Sequence, residues 1–277
     1  MEGEQGYDAE LRFVLAFAAE AADLVRELRR SRRYEVDTKA DESLVSTVDR
    51  IVNGEFIDAV RREFRLDRVL GEEQSRDAPG PRTWVIDPID GTEQFVLGIP
   101  TFMVAIALTD GAGQPLVSCA VNPSTSELYH AVRGGGAFRD GERLRVSVRD
   151  GVREPAIVRG SGAGRRGHRG LAIDSILRTR LDGAAPRPVP IRYPWPSAFS
   201  GCKVAEGAWD ADLYGGIWAH DVAATSLLVT EAGGRATDRH GRRQRYDRPV
   251  DGCILSNGLV HDALVTHWHP TPPITTR

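Results

Sequence analysis

The stretch Trp84-Val-Ile-Asp-Pro-Ile-Asp-Gly-Thr-Glu-Gln-Phe95 is an apolar strand that runs into two aspartates around a proline. Pro88, two residues before Asp90, and Gly91 just after it break the strand, so the chain turns there. A helix that begins at Gly91-Thr92 offers its first backbone amides as an anion site. Asp87 and Asp90 then stand just before that helix with oxygens suited to hard cations, and phosphate and magnesium would meet at one turn. The same Asp90-Gly91 pair, flanked by apolar residues, also reads as the closing dipeptide of a β-hairpin.

Two further acidic stretches bear on that choice. Leu70-Gly-Glu-Glu73 follows a short predicted strand, and Asp221 stands at the start of the last long predicted helix. Taken singly, Glu72-Glu73 reads as surface charge and Asp221 as a helix cap. Taken with Asp87 and Asp90 they are three acidic strand or helix ends that can converge. Several carboxylates do not stay ionised in one pocket unless cations neutralise them. An all-oxygen ligand set selects Mg2+, Mn2+ or Ca2+ over Zn2+. Such a site suits phosphoryl transfer, and with no serine or cysteine nucleophile elbow visible, hydrolysis by metal-activated water is the simplest chemistry.

Outward from this segment the pattern alternates helix and sheet. Over residues 8–30 apolar side chains recur at helical spacing (Leu11, Leu15, Ala18, Ala22, Val25) and end in Arg29, Arg30, Arg32 and Arg33, a solvated cationic end favoured by the helix dipole. A second helix is expected over 47–64, with Val48, Ile51, Val52, Phe56 and Val60 inward. Short apolar runs at 84–86, 102–108, 116–121 and 128–132 predict a sheet. Residues 159–170, rich in glycine and arginine, read as a loop leading into a helix at 171–181; glycine spacing alone is weak support for a phosphate grip there. Helical patterns return at 200–208 and 221–232, with Gly233-Gly234 as a stop.

The 277 residues suffice for one large or two closely joined α/β units. With 27 % charged residues and a formal net charge of -3, a dedicated nucleic-acid binder is disfavoured. Cys119, Cys202 and Cys253 lie far apart without CxxC spacing, so they predict small buried hydrophobes rather than a disulfide or zinc site. An acidic N-terminus without a signal-peptide pattern, and no apolar run long enough for a membrane, point to the cytoplasm.

Four ordered motifs carry a resemblance: Thr38-Lys-Ala-Asp-Glu-Ser-Leu-Val-Ser-Thr-Val-Asp49, Gly71-Glu-Glu73, Asp87-Pro-Ile-Asp-Gly-Thr92, and Asp221-Val-Ala-Ala224 followed by Glu231-Ala-Gly-Gly234. On them the chain resembles the inositol monophosphatase family from about residue 10 to about residue 265. The resemblance implies a mixed α/β (α+β) fold, a layered αβαβα sandwich, and commonly a homodimer. In that arrangement a half spanning 1–150 carries Lys39, Asp49, Glu72 and the Asp-Pro-Ile-Asp-Gly-Thr motif, a half spanning 151–277 carries Asp221, and the two form one compact unit. It further implies that Glu72, Asp87 and the Ile89 carbonyl hold a first metal, while Asp87, Asp90 and Asp221 hold a second. The cofactor would be two or three Mg2+ ions, with Mn2+ possible as a substitute. Thr92, paired with Asp49, would orient the attacking water with Glu72 as its other partner, with Lys39 in the same catalytic set. The Gly91 and Thr92 amides would grip the phosphate.

The substrate implied is a small phosphate ester, with neither nucleic acid nor membrane as partner. Ser256-Asn-Gly-Leu-Val-His-Asp262 and Thr38-Lys39 resemble bacterial histidinol-phosphate phosphatases. Asn122-Pro-Ser-Thr125 and Arg133-Gly-Gly-Gly-Ala-Phe138 resemble inositol monophosphatases at least as strongly. The family usually has Trp before its last metal aspartate; here that residue is His220, which reads as a phosphate or substrate contact or as a replacement for a packing aromatic. Trp209-Asp210 is a decoy for this motif, because Asp221 and not Asp210 is followed by a helical run. Most relatives also carry a substrate-contacting glutamate several residues earlier, whereas Leu213-Tyr-Gly-Gly-Ile-Trp218 holds no acid. Loss of such a partner weakens binding of a polar substrate by about 1–3 kcal/mol. Tyr193, Trp195 and Tyr214 are candidates to line a pocket for a flat substrate such as a nucleoside, or to pack internally. Besides the leading reading, a nucleotide or other sugar phosphatase and a non-catalytic phospholigand-binding relative remain alternatives.

Overall fold

The computed structural model describes residues 6–39, 44–152, 156–160, 175–179 and 195–267. The chain forms α1 (Asp8–Ser31), β1 (Val36–Thr38), β2 (Leu44–Ser46), α2 (Thr47–Glu63), β3 (Arg68–Gly71), β4 (Thr83–Asp90), α3 (Thr92–Leu97), β5 (Met103–Thr109), β6 (Pro115–Val121), β7 (Leu128–Val132), β8 (Gly136–Arg139) and β9 (Glu142–Arg143). It continues with β10 (Ala156–Gly160), β11 (Ser175–Thr179), α4 (Ser197–Ala205), β12 (Ala211–Tyr214), α5 (Ala223–Glu231), β13 (Arg235–Thr237), β14 (Cys253–Ser256) and α6 (His261–His267).

β3 to β9 form a seven-stranded sheet in sequence order, antiparallel except for the parallel β3–β4 pair. Successive side chains of a strand point to opposite faces, and here both faces are buried. Trp84, Ile86, Val104, Ile106, Leu108, Val117 and Cys119 pack with Phe13, Phe17, Val52 and Phe56 of α1 and α2. Their neighbours Val85, Met103, Ala105, Ala107 and Ala120 pack with Ala198 and Cys202 of α4 and with Leu227 and Leu228 of α5. The second sheet, ordered β11-β10-β12-β14-β13, joins that same core through Tyr214, Cys253 and Leu255. Its far face, with Ala156, Val158, Ala211 and Ile254, is covered by Val260 and Leu264. The layers are therefore helix, sheet, helix, sheet, helix, the αβαβα sandwich that the resemblance implied. Burial on both faces explains why these strands read as continuous apolar runs rather than as an alternation.

Several predicted elements keep their type and shift their ends. The helix expected at 200–208 starts three residues earlier, at Ser197 behind Pro196, and the helix expected from Asp221 starts at Ala223 with Val222 at its cap position. Asp221 is thus not a helix cap. The helix expected at 171–181 is corrected: Ser175–Thr179 is a strand, paired antiparallel with β10 over five residues. An open sheet edge supplied the hydrogen-bond partners, and tertiary pairing overrode a weak local pattern. The loop read at 159–170 begins with the last two residues of β10, and its remainder, 161–170, lies outside the described residues. All three cysteines are buried and unbridged. Among the described residues no helix is long and apolar enough to cross a membrane.

Candidate active site

The decisive turn is a bulge, not a hairpin. In the β4–β5 ladder Asp87 lies opposite Ala105 and Asp90 opposite Met103, so Pro88 and Ile89 form an irregularity that bends the end of β4. The chain then enters α3 through Gly91, whose φ of 95° favours glycine and where a Cβ would lie 2.5 Å from Pro196 Cγ. Asp87 is 2 % exposed and accepts from the Ile89 amide at 3.1 Å. Asp90 is 6 % exposed and accepts from the Ser197 and Ala198 amides at 3.2 and 2.7 Å, so one carboxylate ends β4 and begins α4.

Glu72 follows β3, and its amide continues the parallel pairing to the Ile86 carbonyl at 3.2 Å. The turn after Gly71 is held by buried Asn53 of α2, which donates to the Gln74 carbonyl (2.9 Å) and accepts from the Glu73 and Gln74 amides (3.3 and 3.4 Å). Any side chain at residue 71 would put its Cβ 2.3 Å from both Asn53 Oδ1 and the Gln74 carbonyl, so the backbone approach requires glycine. Lys39 donates to Glu72 Oε1 at 2.7 Å and also to Glu73 Oε1. Burial opposes the Lys39 charge, yet Glu72 and Glu73 outweigh it and hold the ammonium above its ordinary pKa.

Asp49 is fixed by a capping box at the start of α2: it accepts from the Ser46 amide at 2.8 Å and from the Ser46 hydroxyl at 2.5 Å. Its other oxygen accepts from Thr92 Oγ1 at 3.0 Å, which also lies 3.3 Å from the Ile89 carbonyl. The last acid comes from the other side of the molecule. Asp221 sits two residues before α5 and accepts from the hydroxyl of Tyr214, the final residue of β12.

These stretches converge. Oxygens of Asp87, Asp90 and Asp221 lie within 4.8 Å of one another, as do ligand atoms of Glu72, Asp87 and His220, and those of Asp49, Glu72 and Glu73. Burial is the first cause of an upward pKa shift at three of them: Asp49 to about 6, Asp90 to about 8, and Asp87 well above the carboxylate range. Neighbouring acids add to it: Glu72 acts on Asp49, Asp221 acts on Asp90, and Glu72, Asp90 and Asp221 act on Asp87. Buried acids that repel one another, with overlapping ligand sets of oxygen and one imidazole, fit divalent cations.

A sequence model of the inositol monophosphatase family matches residues 8–270. The chain belongs to the inositol monophosphatase family. It is similar to a histidinol-phosphatase of Mycobacterium tuberculosis, 35 % identical over 272 residues and covering 93 % of this chain and 96 % of that one. It is also similar to an inositol-1-monophosphatase of Rhizobium meliloti, 32 % identical over 242 residues with 87 % of each chain covered. Among solved structures, the extragenic suppressor protein suhB of Bartonella henselae superposes with a TM-score of 0.77 at 27 % identity, covering 94 % of this chain and 98 % of that one. This inositol monophosphatase family member is therefore a phosphomonoesterase.

Lys39, Asp49, Glu72, Asp87, Ile89, Asp90, Gly91, Thr92, His220 and Asp221 thus gather in one region, from five separate chain segments. Tyr214 corrects the expectation of a pocket wall: it is 1 % exposed, and its hydroxyl donates to Asp221. A Cβ on Gly216 would lie 2.1 Å from that hydroxyl, so the glycine pair makes room for the ring. Trp195 stacks on Phe199 at 5.5 Å and meets Trp209 edge-on, a packing role, while Tyr193 lies outside the described residues. Asp210 is 0 % exposed and is engaged by Arg149 at 2.8 Å and the Ile157 amide at 2.5 Å, away from the acidic groups. Sequence reasoning missed Asn53, Ser46 and the Ser197-Ala198 amides. Ser46 and Asp49 were legible as a capping box; the others depend on contacts between distant segments.

Proposed function

We propose that this phosphatase is Mg2+-dependent and hydrolyses a small phosphorylated metabolite of the inositol monophosphate or histidinol phosphate type. The observation that supports it most is the overlap of three acidic groups through Glu72 and Asp87, immediately beside the Thr92–Asp49 hydrogen bond. Two or three divalent cations, held by Glu72, Asp87, the Ile89 carbonyl, Asp90 and Asp221, would supply charge neutralisation, a more acidic water and stabilisation of the leaving oxygen. Thr92 gives its hydroxyl proton to Asp49 and so keeps a lone pair to accept a hydrogen bond from the attacking water. The Glu72 carboxylate, steered by Lys39, accepts the second hydrogen bond and fixes the line of attack. Gly91 and Thr92 stand at the start of α3, where amides lack intrahelical partners and suit a phosphate oxygen. A homodimer and a cytoplasmic location belong to the same reading and rest on the family resemblance.

A second reading within the class, a nucleotide or other sugar phosphatase, is favoured by one observation. Leu213–Trp218 holds no acid, and its Tyr214 hydroxyl is engaged by Asp221, so this stretch offers no carboxylate to a polar substrate group. Phosphate release from inositol 1-phosphate, histidinol phosphate and a nucleoside monophosphate, measured under identical Mg2+ conditions, separates the two. Release from one of them is expected to vanish with EDTA and return with Mg2+. No release from any ester with any divalent cation would overturn the proposal.

A further inference from the structure

His220 stands where packing alone leaves its ring nitrogens without employment. The residue is 9 % exposed, and among the described residues neither nitrogen has a hydrogen-bond partner; Asp221 Oδ1 is 3.9 Å from Nε2, beyond hydrogen-bond reach. Its ring stacks parallel to that of Trp218, with centroids 5.9 Å apart and an interplanar angle of 13°. So stacked, His220 has a ring nitrogen within 4.8 Å of carboxylate oxygens of both Glu72 and Asp87. That spread suits three ligands around one ion at roughly 2.0–2.3 Å each. Lys39 engages Glu72 through Oε1 alone, and the second oxygen has no hydrogen bond among the described residues.

We propose that His220 is a metal ligand, and that the cation position shared by Glu72, Asp87 and His220 is a mixed nitrogen and oxygen site selecting Mn2+ or a similar transition-metal ion over Mg2+. The inference rests on the metal-dependent reading of the site above and goes beyond it. Carboxylates and water suit Mg2+, whereas an imidazole donor shifts preference toward first-row transition metals, in the order that rises from Mn2+. The neighbouring position made by Asp87, Asp90 and Asp221 offers oxygens only and keeps its affinity for Mg2+. One site then holds two cation positions of different hardness, and the difference comes from a single residue.

Mn2+ titration and pulsed electron paramagnetic resonance test this directly on the full chain. The Mn2+-loaded protein is expected to show 14N coupling from a directly bound imidazole. His220→Phe, which preserves a flat ring against Trp218, is expected to lose that coupling and to weaken Mn2+ binding at one position by at least about tenfold. Mg2+ binding at the oxygen-only position stays within about threefold. His220→Asn, which restores an oxygen donor, is expected to recover cation binding without the nitrogen signal. Mn2+ bound without 14N coupling in the unaltered protein, or coupling that survives in both variants, would overturn the role of His220 while leaving the phosphatase reading intact. Failure to bind Mn2+ at all, together with hydrolysis indifferent to EDTA, would overturn the reading beneath it as well.

Discussion

Replacing Asp87 by Asn is expected to lower kcat by about 10^2- to 10^3-fold, the scale seen when a group that stabilises transition-state charge is removed. Asp87 is the acid shared by two of the three ligand groups, so one substitution weakens two cation positions together. The amide keeps an oxygen to accept from the Ile89 amide, now 3.1 Å from Oδ1, so the bulge at the end of β4 survives. It also removes an acid whose charged form is disfavoured by burial and by Glu72, Asp90 and Asp221. The metal-free variant is therefore expected to melt no lower than the unaltered protein, and removing that repulsion favours a higher melting temperature. Steady-state phosphate release and thermal melting in EDTA check the two halves. A variant with near-normal turnover would remove Asp87 from the chemistry. Asp90→Asn is expected to differ: its carboxylate holds the Ser197 and Ala198 amides, and the NH2 end of Asn cannot accept from one of them, so turnover and the start of α4 both suffer.

The second large effect is a stability that falls as pH rises when metal is absent. Asp90 holds its proton in the folded chain up to about 8, against 3.8 for the ordinary carboxyl, and Asp87 is shifted in the same direction. Between those values the folded state binds more protons than the unfolded state, so stability declines with rising pH and the full cost is present above about 8. Asp49, shifted to about 6, adds its share at lower pH. His261, which burial lowers to about 4, acts the opposite way below the ordinary histidine value of 6.5, so the cleanest window is pH 6.5 to 8.5. In EDTA the melting temperature is expected to drop across that window. Saturating Mg2+ is expected to flatten or reverse the trend, because cation binding releases those protons and stabilises the charged acids. A metal-free melting temperature that climbs over the same interval would contradict the buried acidic cluster.

What was legible in the sequence was local in origin. Pro88 and Gly91 announced a chain turn, and the helical spacing of α1 and α2 and the apolar runs of β4 to β7 predicted their positions within a few residues. The αβαβα layering came from the resemblance, and the structure accounts for it by a first sheet buried on both faces between α1 and α2 on one side and α4 and α5 on the other. That Glu72, Asp87, Asp90 and Asp221 can converge was readable from acids at three strand or helix ends, and their assignment to shared ligand sets came from the resemblance. The supports of the site were not legible. Asn53 reaches 21 residues along the chain to Gln74, and the Ala198 amide reaches 108 residues back to Asp90, distances at which no periodicity speaks. Tyr214 was visible as an aromatic near Asp221, yet only its burial turned it from a candidate pocket wall into a partner of that acid. β11 was misread because an edge strand owes its form to the neighbour it pairs with.

Acids from distant segments are expected to hold divalent cations in one site, and anomalous diffraction from a crystal soaked in Mn2+ views that directly. At least two anomalous peaks are expected, one within coordination distance of Glu72 and Asp87 and one within coordination distance of Asp87, Asp90 and Asp221. A fully occupied Mn2+ elsewhere with neither position filled, at pH 8.5 and millimolar metal, would contradict it.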